Sequence, residues 1–358
     1  MNLKEITMQF CLEGEVQSIE EYGNGHINAT YLVQTTEKKY IFQKINTNIF
    51  KDVDSLMENI NGVTAYLTKQ IKERGGNPDR ETLQVIPTRE GKSYYRDGEG
   101  NCYRVYLFIT EATSFDAVEK PEDFYASAVA FGNFQSLLAD YPAETLHETI
   151  PDFHNTPKRF RDFLKAVKED VCGRAACVQE EINFVLAHEA DMSVLTDMLA
   201  KKELPLRVTH NDTKLNNVMI DDATGKGICV IDLDTVMPGL SVNDFGDSIR
   251  FGANTAVEDE TDLSKVSLSL ELYELYAKGF LEGCKGSLTE NELRMLPMGA
   301  KTMTLECGMR FLTDYLSGDT YFRIHREHHN LDRCRTQFAL VADMEKKWAQ
   351  MEAIGRKG

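Results

Sequence analysis

The alternation of apolar and polar positions changes character about a third of the way along the chain. Up to Ile109 short alternating segments dominate, which predicts strands. Val16 to Glu20 and Thr30 to Gln34 read as two strands joined by the turn-rich Tyr22-Gly-Asn-Gly-His26, and Lys39 to Ile45 as a third. Between Asp52 and Gly75 the period becomes helical: Val53, Met57, Ile60, Leu67 and Ile71 recur on one face, and Gly75-Gly76 ends the run. Leu83 to Pro87, Ser93 to Arg96 and Cys102 to Ile109 read as further strands, the last aromatic enough for a central position.

Beyond Phe124 the pattern is helical over 123–140, 157–171, 179–199, 262–282, 287–314 and 335–352. The strand-rich island in that half is 207–234. The pattern predicts an α+β, bilobal, protein-kinase-like fold. A small β-rich lobe covers 1–110, a link lies near Thr110 to Thr113, and a larger helical lobe with an embedded β-hairpin covers 111–358. A length of 358 residues suits two packed lobes.

Composition narrows the function classes. A net charge of −17 argues against nucleic acid as a partner, which calls for a concentrated basic surface. No run approaches the roughly 18 apolar residues of a membrane helix. The start, MNLKEITMQFCLEGE, lacks a basic stretch followed by an apolar block, so no signal peptide is expected. Eight scattered cysteines without a Cys-x-x-Cys pair then read as reduced cytoplasmic thiols.

The chemistry is concentrated in Thr-His-Asn-Asp-Thr-Lys-Leu-Asn-Asn, 209–217, and Ile-Asp-Leu-Asp, 231–234. Val218–Ile220 and Ile228–Ile231 are short apolar runs around the turn formers Asp-Asp-Ala-Thr-Gly-Lys-Gly, which predicts a hairpin. Folded about Thr224 and Gly225, it sets Asn217 opposite Asp232 at the open end, with Asp212 in the preceding loop. Carboxylate and amide oxygens suit Mg²⁺, a hard cation. The spacing therefore predicts phosphoryl transfer: Asp212 as base and orienter of an attacking hydroxyl, Asn217 and Asp232 as metal ligands, and Lys214 beside the transferring group. Asp244-Phe245-Gly246 imitates a metal-binding Asp-Phe-Gly but follows Asp232 by twelve residues. It is expected to tie the catalytic loop instead.

On the nucleotide side, Gly23, Asn24 and Gly25 form a candidate phosphate-covering loop, or a plain hairpin turn. Lys44 ends the third strand, on one face with Tyr40 and Phe42. It is the candidate cation for the ATP phosphates, with Glu58 or Asp54 as its partner.

His-x-Asp-x-x-x-x-Asn followed by Ile-Asp, without an adjacent Asp-Phe-Gly, resembles the aminoglycoside phosphotransferase and choline kinase superfamily. The stretches 22–33, 206–217, 244–253 and 306–312 (Glu-Cys-Gly-Met-Arg-Phe-Leu) resemble, more narrowly, the N-acetylhexosamine 1-kinases. That resemblance implies transfer of the ATP γ-phosphate, with Mg²⁺, to the anomeric hydroxyl of N-acetylglucosamine or N-acetylgalactosamine. Asp212 would be the base. Lys44 would serve only as a cation, since relatives can carry arginine there.

For the acceptor, Asn211 can donate and accept beside the base. Arg310 lies between Glu306 and Asp314, either in an i,i+4 ladder or aimed by both at sugar hydroxyls. Phe251 stacks on the sugar or packs in the core, and His26 reaches across the cleft or serves the turn. His325, His328 and His329 read as a solvated polar loop, not a metal site. Two alternatives remain from the residues alone: a kinase of another small alcohol (an aminoglycoside, choline or a different hexose), and a non-catalytic nucleotide-binding regulator.

Overall fold

The computed structural model describes residues 2–23 and 27–355. Strands β1 (Val16–Glu21), β2 (Ala29–Thr35), β3 (Lys39–Ile45), β4 (Tyr95–Arg96) and β5 (Cys102–Leu107) form an antiparallel sheet in the order β1-β2-β3-β5-β4. Register decides what each face carries, because directly opposed residues point the same way. Lys44 opposes Tyr103 and Phe42 opposes Val105, whereas Gln43 opposes Arg104 and Ile41 opposes Tyr106. The Phe42 face packs with Tyr40, Tyr103 and Val105 against Ile6 and Phe10 from the N-terminal segment. The Ile41 face joins the main core with helix α1 (Val53–Glu73).

Helix α1 starts where Asp52 accepts the Ser55 N–H, and it buries Val53, Met57, Ile60, Leu67 and Ile71 as the period predicts. Such a cap contributes about 1 kcal/mol. The expected strand over 83–87 is reduced to one bridge, Val85 with Tyr106. Pro87 has no N–H with which to extend the ladder.

The rest of the chain is mainly helical, with α2 (Pro121–Leu137), α3 (Thr156–Glu169), α4 (Ser241–Gly252), α5 (Leu270–Cys284), α6 (Glu290–Leu316) and α7 (His329–Lys346). Thr289 and Glu292 form a capping box that starts α6. Helix α4 runs against α6 through two glycines: a Cβ on Gly246 would lie 2.2 Å from the Gly299 carbonyl oxygen. Core residues of α1 and β5 share one buried cluster with α2, α4 and the hairpin strands. No described helix is long and apolar enough to cross a membrane.

Three helical expectations need correction. The stretch 179–199 splits into Gln179–Ala187 and Val194–Ala200. The break falls at His188, whose ring Nδ1 donates to the Phe184 carbonyl (2.7 Å) while its backbone N–H turns to Val185. Helix α5 begins at Leu270 and not near 262, because Asp262 caps only a single tight turn and Ser269 caps the helix. Helix α4 has no counterpart in the predicted elements. Nearly all its residues are buried, so it lacks the polar face that would reveal a period.

The remaining strands are β6 (Ala112–Thr113), β7 (Arg207–Thr209), β8 (Val218–Asp221), β9 (Gly227–Val230) and β10 (Met237–Gly239). β8 and β9 form the predicted hairpin, β6 flanks β8, and β7 pairs with β10. A bulge between Met219 and Ile220 moves the register by one, so Val218 opposes Val230 and the Ile231 N–H reaches the Asn217 carbonyl at 2.9 Å. Asn217 therefore faces Ile231, and Asp232 is the next residue out.

Candidate active site

The loop from His210 to Asn217 owes its shape to α4. Asp244, in the first turn, accepts the backbone N–H groups of His210 (2.9 Å) and Asn211 (2.8 Å) and the Gln135 side-chain amide (2.9 Å). Burial raises its carboxyl above the ordinary range, although these donors pull the other way. One turn later, Asp247 accepts the Thr213 N–H (3.1 Å). Asp244 thus ties the loop, as its distance from Asp232 in sequence implies. His210 closes the hairpin: its Nε2 donates to the Ile231 carbonyl (2.8 Å), and its Nδ1 accepts the Asp212 N–H (3.3 Å).

On this frame the predicted catalytic residues come together. Asp212 Oδ1 lies 2.8 Å from Lys214 Nζ, and Oδ2 accepts from Asn217 Nδ2 at 3.2 Å. Asn217 Nδ2 also holds the Asp212 carbonyl (2.8 Å), which leaves its amide oxygen for another ligand. Burial would lower the Lys214 ammonium, yet Asp212 and Asp247 raise it on balance.

Asp232 stands in the left-handed region, φ 58°. Its side chain keeps contact with solvent. The enclosing protein, and then the Asp234 and Asp212 carboxylates, push its carboxyl up to about 6. Among the described residues no hydrogen bond or ion pair engages that carboxylate. A bare carboxylate, a free amide oxygen and mutually repelling neighbours form a donor set that fits Mg²⁺.

The nucleotide side departs from expectation. Gly23 has φ 75°, a conformation that favours glycine, while Asn24, Gly25 and His26 lie outside the described residues. Lys44 points to the wrong face: it shares the Tyr103 side of the sheet, away from the catalytic loop. Glu58 pairs with His147 (2.7 Å) and Asp54 with the Tyr94 hydroxyl (2.7 Å), so neither serves Lys44. A buried cation on the cleft face is Arg104 of β5, whose Nη1 lies 2.5 Å from Asp234 Oδ1. The available sequence signal was an arginine in the middle of the otherwise apolar and aromatic run Cys102 to Ile109. A cavity of about 980 Å³ lies between α1 and the 87–96 segment and includes none of the hairpin residues.

The acceptor candidates divide. Asn211 is buried at φ 64°, and its side-chain amide donates to the carbonyls of Thr235 (2.8 Å) and Thr209 (3.3 Å). It staples the loop, and its donors are not free for a sugar. Arg310 is not oriented by its neighbours on α6. Glu306 accepts from His154 (2.9 Å) and Thr156 (2.6 Å), and Asp314 accepts the backbone N–H groups of Thr320, Tyr321 and Phe322. The Arg310 guanidinium instead sits over Phe153 (5.6 Å), Phe322 (5.4 Å) and Tyr321 (5.9 Å). Among the described residues it makes no ion pair.

Phe251 is half-buried in the last turn of α4, beside Arg250, which Asp247 and Glu258 hold. Burial pushes the Cys307 thiol up to about 11, against the opposing pull of the Arg250 and Arg310 charges. Of the three histidines, His325 and His328 are exposed, as a solvated loop would have them, with His328 meeting the Tyr315 hydroxyl (2.8 Å), whereas His329 is buried with Nε2 3.0 Å from Asp259.

A candidate catalytic loop braced by a buried helix, a hairpin beside it whose donor set suits a hard cation, and an antiparallel sheet from the first part of the chain have the layout of a kinase-like phosphotransferase. The chain belongs to the phosphotransferase enzyme family, whose model matches residues 18–263. Among solved structures it is similar to a microcompartment-associated aminopropanol kinase, at 16% identity and a TM-score of 0.63, over 98% of this chain and 97% of that one. An aminoglycoside phosphotransferase from Alicyclobacillus acidocaldarius matches at 12% identity and TM-score 0.63, over 100% and 96% of the two chains. A choline kinase from Cryptosporidium parvum matches at 13% and 0.56, over 98% and 96%. At these identities the likeness concerns the fold.

Proposed function

We propose that the protein is a cytoplasmic, ATP- and Mg²⁺-dependent kinase that phosphorylates the anomeric hydroxyl of N-acetylglucosamine or N-acetylgalactosamine. The nucleotide lies between the lobes 1–110 and 111–358. The observation that carries the chemistry is Asp212, held between Lys214 and Asn217 beside the bare carboxylate of Asp232. The choice of sugar is supported by the resemblance over 22–33, 206–217, 244–253 and 306–312, and by the cationic acceptor wall. A quaternary ammonium acceptor would meet like charge at Lys214 and Arg310.

Asp212 accepts the proton of the acceptor hydroxyl as its oxygen bonds to the γ-phosphorus and the bond to the β,γ-bridging oxygen breaks, releasing ADP. Lys214 balances charge on the transferring group and keeps Asp212 in place. Asp232 and the Asn217 amide oxygen would hold Mg²⁺, which when bound neutralises phosphate oxygens. Asp244, Asp247 and Asn211 keep the loop rigid, so that little reorganisation is needed at reaction. Arg310, in its aromatic cage, presents N–H groups to the sugar, and Phe251 offers an apolar wall.

Incubation with Mg²⁺·ATP and a panel of both N-acetylhexosamines, other hexoses, an aminoglycoside, choline and aminopropanol, followed by ³¹P NMR, tests this. An anomeric sugar phosphate is expected. Phosphate on another position, or turnover of an amino alcohol alone, rejects the sugar assignment. Nucleotide binding without turnover on any acceptor favours a regulator.

A further inference from the structure

A buried ion pair joins the sheet to the metal loop. Arg104 and Asp234 retain only 1% and 4% side-chain exposure, and their charged atoms are 2.5 Å apart. Two charges withdrawn from water contribute little net stability, so stability alone is a weak account of such a pair. What surrounds it is more informative. Gln43 Oε1 accepts from both Nε (3.0 Å) and Nη2 (2.8 Å) of Arg104, which aims the third nitrogen at Asp234. The second oxygen of Asp234 accepts from Asn28 (2.7 Å), whose own oxygen accepts the Asn46 N–H (2.9 Å). Asn28 closely follows the glycine turn, and Asp234 stands two residues after Asp232.

We propose that Arg104 and Gln43 are positioning residues for phosphoryl transfer, acting through Asp234 on the metal-binding Asp232. Gln43 occupies the cleft-facing site at the end of β3 that Lys44 was expected to fill, and the cation comes from the neighbouring strand. By clamping Asp234 from β5 and from Asn28, the pair fixes the left-handed turn at Asp232, and with it the aim of the bare carboxylate. The same carboxylate links Asn28, the residue before β2, to the metal loop, so the start of β2 and the candidate metal ligand are tied through one side chain. The inference rests on the proposed use of a metal-bound nucleotide, though not on the identity of the acceptor.

The test is calorimetric binding of Mg²⁺·ADP to the full chain, with no acceptor present, alongside thermal unfolding. Arg104→Met should weaken binding about 10- to 100-fold, as loss of partners behind a metal ligand typically does. Arg104→Lys should recover part of it, and Gln43→Leu should lose an intermediate amount. Because Arg104→Met strands the Asp234 charge and can fail to fold, the pair Arg104→Met with Asp234→Leu serves as the second variant. It should fold stably yet still bind weakly. Wild-type affinity in the double variant, or loss in Lys44→Met with none in Arg104→Met, overturns the positioning role. A wild-type protein that binds no Mg²⁺·ADP overturns the nucleotide assignment beneath it, and the positioning role with it.

Discussion

Lys214 Nζ lies 2.8 Å from Asp212 Oδ1, two residues apart on a loop whose backbone is pinned by Asp244 and Asp247. The candidate base is therefore held by a cation. Asp212→Asn keeps the shape and removes the proton acceptor. Turnover should fall about 10²- to 10⁴-fold with nucleotide affinity little changed. Steady-state kinetics paired with nucleotide titration check this, and near-normal turnover would sink the base assignment.

Asp232 links function to pH-dependent stability. Its carboxyl is pushed up to about 6 in the folded chain, against roughly 3.9 for an unperturbed aspartate. Between those values the folded chain binds a proton that the unfolded chain does not. This group therefore adds stability as pH falls through that window and detracts from it at neutral pH. Asp232→Asn, which tolerates the left-handed backbone, should raise the melting temperature of the nucleotide-free protein near neutral pH. The gain should shrink toward about pH 4. Thermal melts across pH would show it, and turnover should be abolished throughout.

Asp244 is surrounded by donors: two backbone N–H groups and the Gln135 amide. In Asp244→Asn an amide NH₂ must face one of them. A loss of about 2–4 kcal/mol is expected, read from the shift of the denaturant midpoint. Turnover should drop as well, since Asp212 loses its frame. If the variant is as stable as wild type, the loop is held by something else.

Helices α4 and α6 meet backbone to backbone. Gly246→Ala would place a methyl 2.2 Å from the Gly299 carbonyl oxygen, and Gly299→Ala one 2.1 Å from the Val242 carbonyl oxygen. Backbone cannot move aside cheaply, so either change should cost about 3 kcal/mol or more. Gly98→Ala, in open space at an exposed turn, is the control and should be close to neutral. Chemical denaturation distinguishes the three.

Arg310 is caged by Phe153, Tyr321 and Phe322 and makes no ion pair among the described residues. If it contacts the acceptor, Arg310→Ala should raise the acceptor KM by about tenfold or more and leave the nucleotide KM alone. Equal effects on both constants would assign it to the fold.

Much of the site was legible because its chemistry is local in sequence. His210, Asp212, Lys214 and Asn217 lie on one loop, and a turn-rich hairpin returns Asp232 to it. The one-residue bulge at Met219 was not legible, since no residue type there demands it. Asn211 misled because a polar residue beside a base has the same letter whether it faces a ligand or the backbone carbonyl of Thr235.

The sequence by itself determined the main strands of the first lobe, most of the helices, the hairpin, and the carboxylates and amide that phosphoryl transfer requires. Periodicity and spacing along the chain are enough for these. Only the tertiary structure decided which face of the sheet looks into the cleft. Alternation puts Lys44 and Gln43 on opposite sides but cannot say which side is which. That was settled by the N-terminal segment, whose Ile6 and Phe10 cover the Phe42 and Tyr103 face and leave Arg104, held by Gln43, to meet Asp234. Helix α4 was equally a tertiary matter. A helix buried on all sides has no polar stripe to announce it, yet it holds the catalytic loop in place.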